Sequence, residues 1–162
     1  MSLIELSLQV SNRPGQLAGV ARILAERQIN VASIRVAPKG ARGDVRLVAS
    51  DPKRAVAALR RAGYTVTTQE LIAVRLEDRA GSFLQVLDCL SSARMNIQHV
   101  VILVQREHNR PLVALGLEDL AKARQVLRRA GFLSHGAEEL VSNSDLVAAP
   151  PAIPSHSVGL IF

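Results

Sequence analysis

The chain opens on alternation. Ile4, Leu6, Leu8 and Val10 are apolar, while Glu5, Ser7 and Gln9 between them are polar, which predicts a strand with one buried face. The period then lengthens. Leu17, Val20, Ala21 and Leu24 recur at helical spacing and predict an amphipathic helix. The β-prone run NVASIRVA follows, then a turn in GARGD and a returning strand in VRLVAS. Asp51 is placed to cap a second helix, with Pro52 at its first position. Ala55, Leu59 and Ala62 face inward along it. Gly63 stops it, and YTVTTQ reads as a closing strand.

The pattern then starts again. Ile72, Val74 and Leu76 alternate, and Phe83, Val86, Leu87 and Leu90 form a second helical stripe. NIQHVVILV and PLVALG read as strands. A last helix is capped near Glu118 or Asp119 and stops at Gly131. Arg13/Arg79, Gly15/Gly81, Val20/Val86, Leu24/Leu90 and Asn30/Asn96 coincide at an offset of 66, and LRRAGY (59–64) matches LRRAGF (127–132) at 68. The two extra residues are absorbed in a loop, APKGARGD in the first copy and VQREHNRP in the second. Each copy has the order β-α-β-β-α-β, the ferredoxin-like unit. The prediction is an α+β protein of two tandem ferredoxin-like βαββαβ domains, residues 1–70 and 71–141, with antiparallel sheets packed together, since units of about 70 residues are marginal alone. Residues 142–162, with Pro150, Pro151 and Pro154, predict an extended tail.

Composition narrows the chemistry. Aromatics are confined to Tyr64, Phe83, Phe132 and Phe162, so the core is built from Val, Leu, Ile and Ala. The single cysteine, Cys89, excludes an internal disulfide framework and a Cys-based zinc site and suits a reducing compartment. It matches Ile23 in the repeat and reads as a small buried apolar residue. The start has no secretory signature and no apolar run reaches membrane length, so a cytoplasmic protein without membrane contact is expected. The net charge is +6, and 17 of the 20 basic residues are arginine. They are spread along the chain, which favours a solvated face over a nucleic-acid patch, and there are few aromatics to stack on bases. Arg60–Arg61 and Arg128–Arg129 close their helices where the dipole favours cations. No GxGxxG, P-loop or GxSxG occurs, and His99, His108, His135 and His156 lack paired ligand spacing. No catalytic residue, metal or cofactor is expected.

The stretch NRPGQLAGVARILAERQINVASI resembles the signature of the ACT domain, a regulatory amino-acid-binding module: Asn or Asp, a variable residue, Pro and Gly after the first strand, then an amphipathic helix and an Asn opening the second strand. The second copy keeps Asp78, Gly81 and Asn96 but has Ala80 for the proline. The resemblance covers residues 1 to about 141 and is closest to stand-alone proteins of two tandem ACT domains. It implies an amino-acid ligand at an interface between domains, and a homodimer. The matching positions are Asn12, Arg13, Pro14, Gly15, Gln16, Leu17 and Asn30 in the first copy, and Asp78, Arg79, Gly81, Ser82, Phe83 and Asn96 in the second.

A helix of about 13 residues is about 20 Å long, so Asn12 and Asn30 stand at opposite ends of theirs. An antiparallel second copy would bring Asn12 beside Asn96, and Asp78 beside Asn30. A ligand carboxylate suits the free N–H groups of Gly15, Gln16 and Leu17, and its ammonium suits the asparagine oxygens. The alternative reading of Asn12 and Asp78 is ordinary helix capping, and of Asn30 and Asn96 helix termination. Serine-binding relatives carry a polar residue, often His, two positions before the loop asparagine. Val10 and Leu76 stand there, so one contact of the serine-binding relatives is absent, which favours a branched-chain or aromatic amino acid. Two further functions stay open: the small regulatory subunit of acetolactate synthase, and a regulator of transcription or of a metabolic enzyme acting by protein contact.

Overall fold

The computed structural model describes residues 2–104 and 111–132. Its elements are β1 (Ser2–Ser11), α1 (Gln16–Ala25), β2 (Val31–Lys39), β3 (Arg42–Ala49), α2 (Pro52–Arg61), β4 (Val66–Arg75), α3 (Ser82–Ser92), β5 (Ile97–Val104), β6 (Pro111–Leu117) and α4 (Leu120–Arg129). The strands form one antiparallel sheet in the order β2-β3-β1-β4-β6-β5. The α+β architecture with two ferredoxin-like repeats is therefore as expected. The tail 142–162, the VQREHNRP loop at 105–110 and the closing strand of the second repeat lie outside the described residues.

Three expectations are corrected. YTVTTQ and Ile72/Val74/Leu76 do not form two strands. They are the two halves of β4, which pairs with β1 through Val66–Ile72 and with β6 through Ile72–Arg75. The Glu70–Leu71 point thus falls inside a strand. APKGARGD is mostly strand as well. Only Gly40 and Ala41 turn the hairpin, with Gly40 at φ +60°, because a two-residue loop with a left-handed glycine matches the twist of its strands. In α1 the buried line is Val20 and Leu24, whereas Leu17 and Ala21 are exposed.

The repeat appears as symmetry. Ile4 pairs directly with Glu70, its own equivalent 66 residues on, so a pseudo-twofold axis passes between β1 and β4. All four helices cover one face. Leu6, Leu8, Val45 and Leu47 pack there against Val20, Leu24, Ala55 and Leu59. Ile72, Val74, Val113 and Leu115 pack against Val86, Leu90, Ala123 and Leu127. A third cluster of Leu3, Leu71, Ala73, Leu103, Leu112 and Ala114 lies on the helix-free face. The sheet curls around it, so that β2 and β5, its opposite edges, touch. Burial of this alternating second set follows from β4 being central: a strand flanked on both sides must be apolar on both faces where both are covered.

Helices α2 and α4 are capped as the sequence predicts. Asp51 accepts the Arg54 N–H at 3.0 Å and Asp119 the Lys122 N–H at 2.9 Å. Asp51→Ala and Asp119→Ala should each cost about 1 kcal/mol and add, being in separate units. Urea denaturation of the two singles and the double tests this, and a double cost well below the sum would show the two helices to be coupled.

Candidate functional site

The sequence offers capping as the plain explanation of Asn12 and Asp78, and the geometry differs. Helices α1 and α3 begin at Gly15 (φ 84°) and Gly81 (φ 88°), neither with a side-chain cap. Asn12, Arg13, Pro14 and Gly15 are exposed, as are Asp78, Arg79 and Gly81. The Asn12 amide group donates to the Gly40 carbonyl at 3.4 Å, and its backbone N–H to Ala41 at 2.9 Å, which fastens the loop to the β2–β3 turn. The Gln16 N–H is not free: it donates to Arg13, as the Ser82 N–H does to Arg79. The first-turn amides without a partner among the described residues therefore begin at Leu17 and, in the second unit, at Phe83.

Asn30 and Asn96 do not terminate their helices. The left-handed positions are taken by Gln28 (φ 55°) and Arg94 (φ 54°). Asn30 is half-buried and stitched by its backbone to Ser50, donating to Oγ at 3.1 Å and accepting from the Ser50 N–H at 2.9 Å. Asn96 is exposed and lines a cavity of about 300 Å³ with Leu87, Ser91, Arg94 and Met95. At the other end of α3, Arg79 and Ser82 line a second cavity of about 270 Å³ with Arg75, Glu77, Gln85 and Phe132.

The two candidate pairings are not made within one chain. Val31 pairs with Ala49 and Ile97 with Leu117. Carried across the sheet, both registers end level with Ile4 and Glu70. Asn30 and Asn96 thus enter the sheet at its centre. Asn12 and Asp78 each lie eight residues further out, in opposite directions, about 26 Å at strand spacing. Asn12 beside Asn96 therefore requires a second chain.

Some groups escaped the sequence reading. Glu5, expected on a solvent face, is buried. Its Oε2 lies 3.0 Å from His99 Nε2 and 3.5 Å from Arg46 Nη1. His99 spans from β5 to β1 through the curl of the sheet. On the same face, Ser7, Gln9, Arg42, Asp44, Arg46 and Thr67 line an open cavity of about 470 Å³. Arg42 donates to Gln9 at 2.9 Å and Gln9 to Asp44 at 3.1 Å. The only sequence signal was the polar member of each alternation, which looks the same whether water or protein covers it. The Cys89 thiol is pushed up by burial, which fits its apolar reading. Among the described residues no group of His, Cys, Asp or Glu is placed to hold a metal, and no helix is long and apolar enough to cross a membrane.

One curled sheet, four helices on its outer face and two uncapped, glycine-started helices define a protein made of two like modules that share a central strand. The chain belongs to the family described as the ACT domain pair, whose model matches residues 1–141. It is similar to protein BT0572 from Bacteroides thetaiotaomicron, at 24% identity over 90% of this chain and 96% of that one, with a TM-score of 0.77. It is also similar to the ligand-free regulatory subunit of aspartate kinase from Thermus thermophilus (18% identity, 79% and 92% of the chains, TM-score 0.56) and to that from Thermus flavus (17%, 81% and 94%, TM-score 0.52). No protein of curated function matches the chain.

Proposed function

We propose that this is a non-catalytic regulatory protein that binds an α-amino acid between ACT units of two chains, as a cytoplasmic homodimer. The carrying observation is the pair of helix N-termini that start on left-handed glycines with no side-chain cap, each beside an exposed Asn12 or Asp78. Uncapped N–H groups favour a carboxylate, and the neighbouring side-chain oxygens suit an ammonium. The units are residues 1–70 and 71–141. The site of one chain comprises Asn12, Arg13, Pro14, Gly15, Gln16 and Leu17, completed by Asn96 of the other. The second site comprises Asp78, Arg79, Gly81, Ser82 and Phe83, completed by Asn30. The neighbouring folds, regulatory subunits of aspartate kinase among them, support a role in which a metabolic enzyme or regulator reads the bound state.

A repeated apolar surface supports the second chain. Ile34 and Val36 on β2 are exposed, and so are their equivalents Val100 and Ile102 on β5. Among the described residues both strands are edges of the sheet, and an edge strand can pair with another strand. Burial of these four side chains and Leu17 in a symmetric contact would cover exposed apolar side chains of both units together.

A thermal-shift screen of the twenty amino acids tests the reading. The expected hit is an apolar amino acid, with stabilisation of about 2.7 kcal/mol at a hundredfold excess over Kd, lost in Asn12→Ala and in Asn96→Ala. Mixing the two variants should restore one of the two Asn12/Asn96 sites in each heterodimer. A flat screen, or a hit unaffected by either variant, refutes the composite site.

A further inference from the structure

Charge is not shared evenly among the four helices. α2 carries Lys53, Arg54, Arg60 and Arg61, α4 carries Lys122, Arg124, Arg128 and Arg129, and neither holds an acidic residue. α1 and α3 have one charge each, Arg22 and Asp88, of opposite sign. With the capping and flanking acids included, residues 51–61 hold four cations to one carboxylate and residues 118–129 four to two. Most of the chain's net +6 therefore sits in two stretches far apart in sequence.

The fold brings them together. α2 and α4 both pack on the central strand β4, each with its unit's other helix on the outer side. Arg60 donates to the Val66 carbonyl of β4 at 2.8 Å, and Arg124 to the Glu70 carboxylate of the same strand. The pseudo-twofold axis runs the two helices in opposite directions, so that their cations form one continuous face over the middle of the sheet. Local stability accounts for part of it: Arg60, Arg61, Arg128 and Arg129 close their helices, where the dipole favours cations. Lys53, Arg54 and Lys122 do the opposite. They lie in the first turns, with no acidic residue among them, where the dipole opposes a cation. Lys53, Arg61, Lys122, Arg128 and Arg129 are exposed, and none has an ion-pair partner among the described residues. Like charges gathered in this way repel one another, and an anionic partner relieves the repulsion.

We propose that α2 and α4 together form a docking face for a short acidic segment of a partner protein. Each helix has ten residues, a length of about 15 Å. Asp51 caps one and Asp119, beside exposed Glu118, caps the other, so carboxylates close the face at its opposite ends. A long polyanion running past the face would meet like charge there, whereas a run of a few Glu or Asp ends within it. Neither helix carries an aromatic side chain on which a base could stack. None of these residues belongs to the amino-acid site proposed above, and docking here requires no bound amino acid.

The test uses the full chain and a fluorophore-labelled, end-blocked decaglutamate peptide, followed by anisotropy. Decaglutamine and a DNA duplex of about 20 base pairs are compared with it at matched salt, since any basic surface gains from counterion release on a duplex. Saturable binding of decaglutamate is expected, with none of decaglutamine and weaker binding of the duplex. Replacing Lys53, Arg61, Lys122 and Arg129 by Gln should weaken the peptide about tenfold. Replacing Arg22, Arg35, Lys39 and Arg42 by Gln removes the same charge elsewhere and should change it less than twofold. Lys53→Gln with Lys122→Gln should melt no lower than the parent and still weaken the peptide severalfold. The proposal is overturned if the two four-residue variants lose binding equally, if the duplex binds more tightly than the peptide, or if the lysine pair proves to stabilise the fold. A flat amino-acid screen with the peptide result intact would sink only the composite site, and the converse pattern only this face.

Discussion

Gly116→Val is expected to destabilise the protein by about 3 kcal/mol, lowering the melting temperature by roughly 10 °C. A Cβ at Gly116 would stand 2.3 Å from His99 Cε1 and 2.5 Å from Nδ1. No real contact is that close, so the ring would have to leave. It has little room to do so, because its side chain is 9% exposed and its Nε2 faces Glu5 at 3.0 Å. Displacing His99 leaves Glu5, itself 3% exposed, with the Arg46 guanidinium at 3.5 Å but one neighbour fewer, and a buried carboxylate that loses a partner is costly.

The repeat supplies the control. In the first unit the equivalent cross-strand pair is Ser33 opposite Val48, and in the second it is His99 opposite Gly116. Small faces large in both, with the sizes exchanged. Transplanting the first pair as His99→Ser with Gly116→Val should therefore recover most of the packing loss, though not the contact to Glu5. Urea denaturation of the two singles and the double gives the coupling directly. A Gly116→Val protein as stable as its parent would mean that His99 is not held where it lies.

Leu71→Pro is expected to cost 3 kcal/mol or about that and to weaken both units at once. Leu71 is fully buried on the helix-free face and pairs with Leu3 in the middle of the sheet. A proline there removes a ladder donor from a central strand, where proline is not tolerated. It also removes an anchor of the third core cluster. Because β4 belongs to both repeats, hydrogen exchange should show α1/α2 and α3/α4 losing protection together, in one transition. Retained protection in α1 and α2 while α3 and α4 melt would show that the halves fold separately and that the shared strand is only a junction.

Much of this was legible in the chain. Period-two runs became strands and period-3.6 runs became helices, because burial of one face selects one periodicity. The caps at Asp51 and Asp119 and the left-handed stops at Gly63 and Gly131 appeared where expected, since these depend on local sterics and a hydrogen bond three residues away. The offset of 66 disclosed two units of one kind. Leu17 and Ala21 were placed by periodicity, which reports a face but not whether anything covers it. The loop residues Asn12 and Asp78 were legible as a pattern, while the structure places glycines at the N-cap positions and shows no side-chain cap on either helix.

By itself, then, the sequence determined the elements, their order, their duplication and the loops at which a ligand would be sought. These are consequences of contacts between near neighbours along the chain. Only the tertiary structure decided that the last strand of one unit and the first of the next are a single strand. It alone curled the sheet until Glu5 met His99, left Asn12 and Asn96 far apart in one chain, and left the Ser82 hydroxyl buried without a partner among the described residues. Each of these depends on register and curvature summed over six strands, and a polar residue in an alternating run carries no mark of which side the sheet will close on.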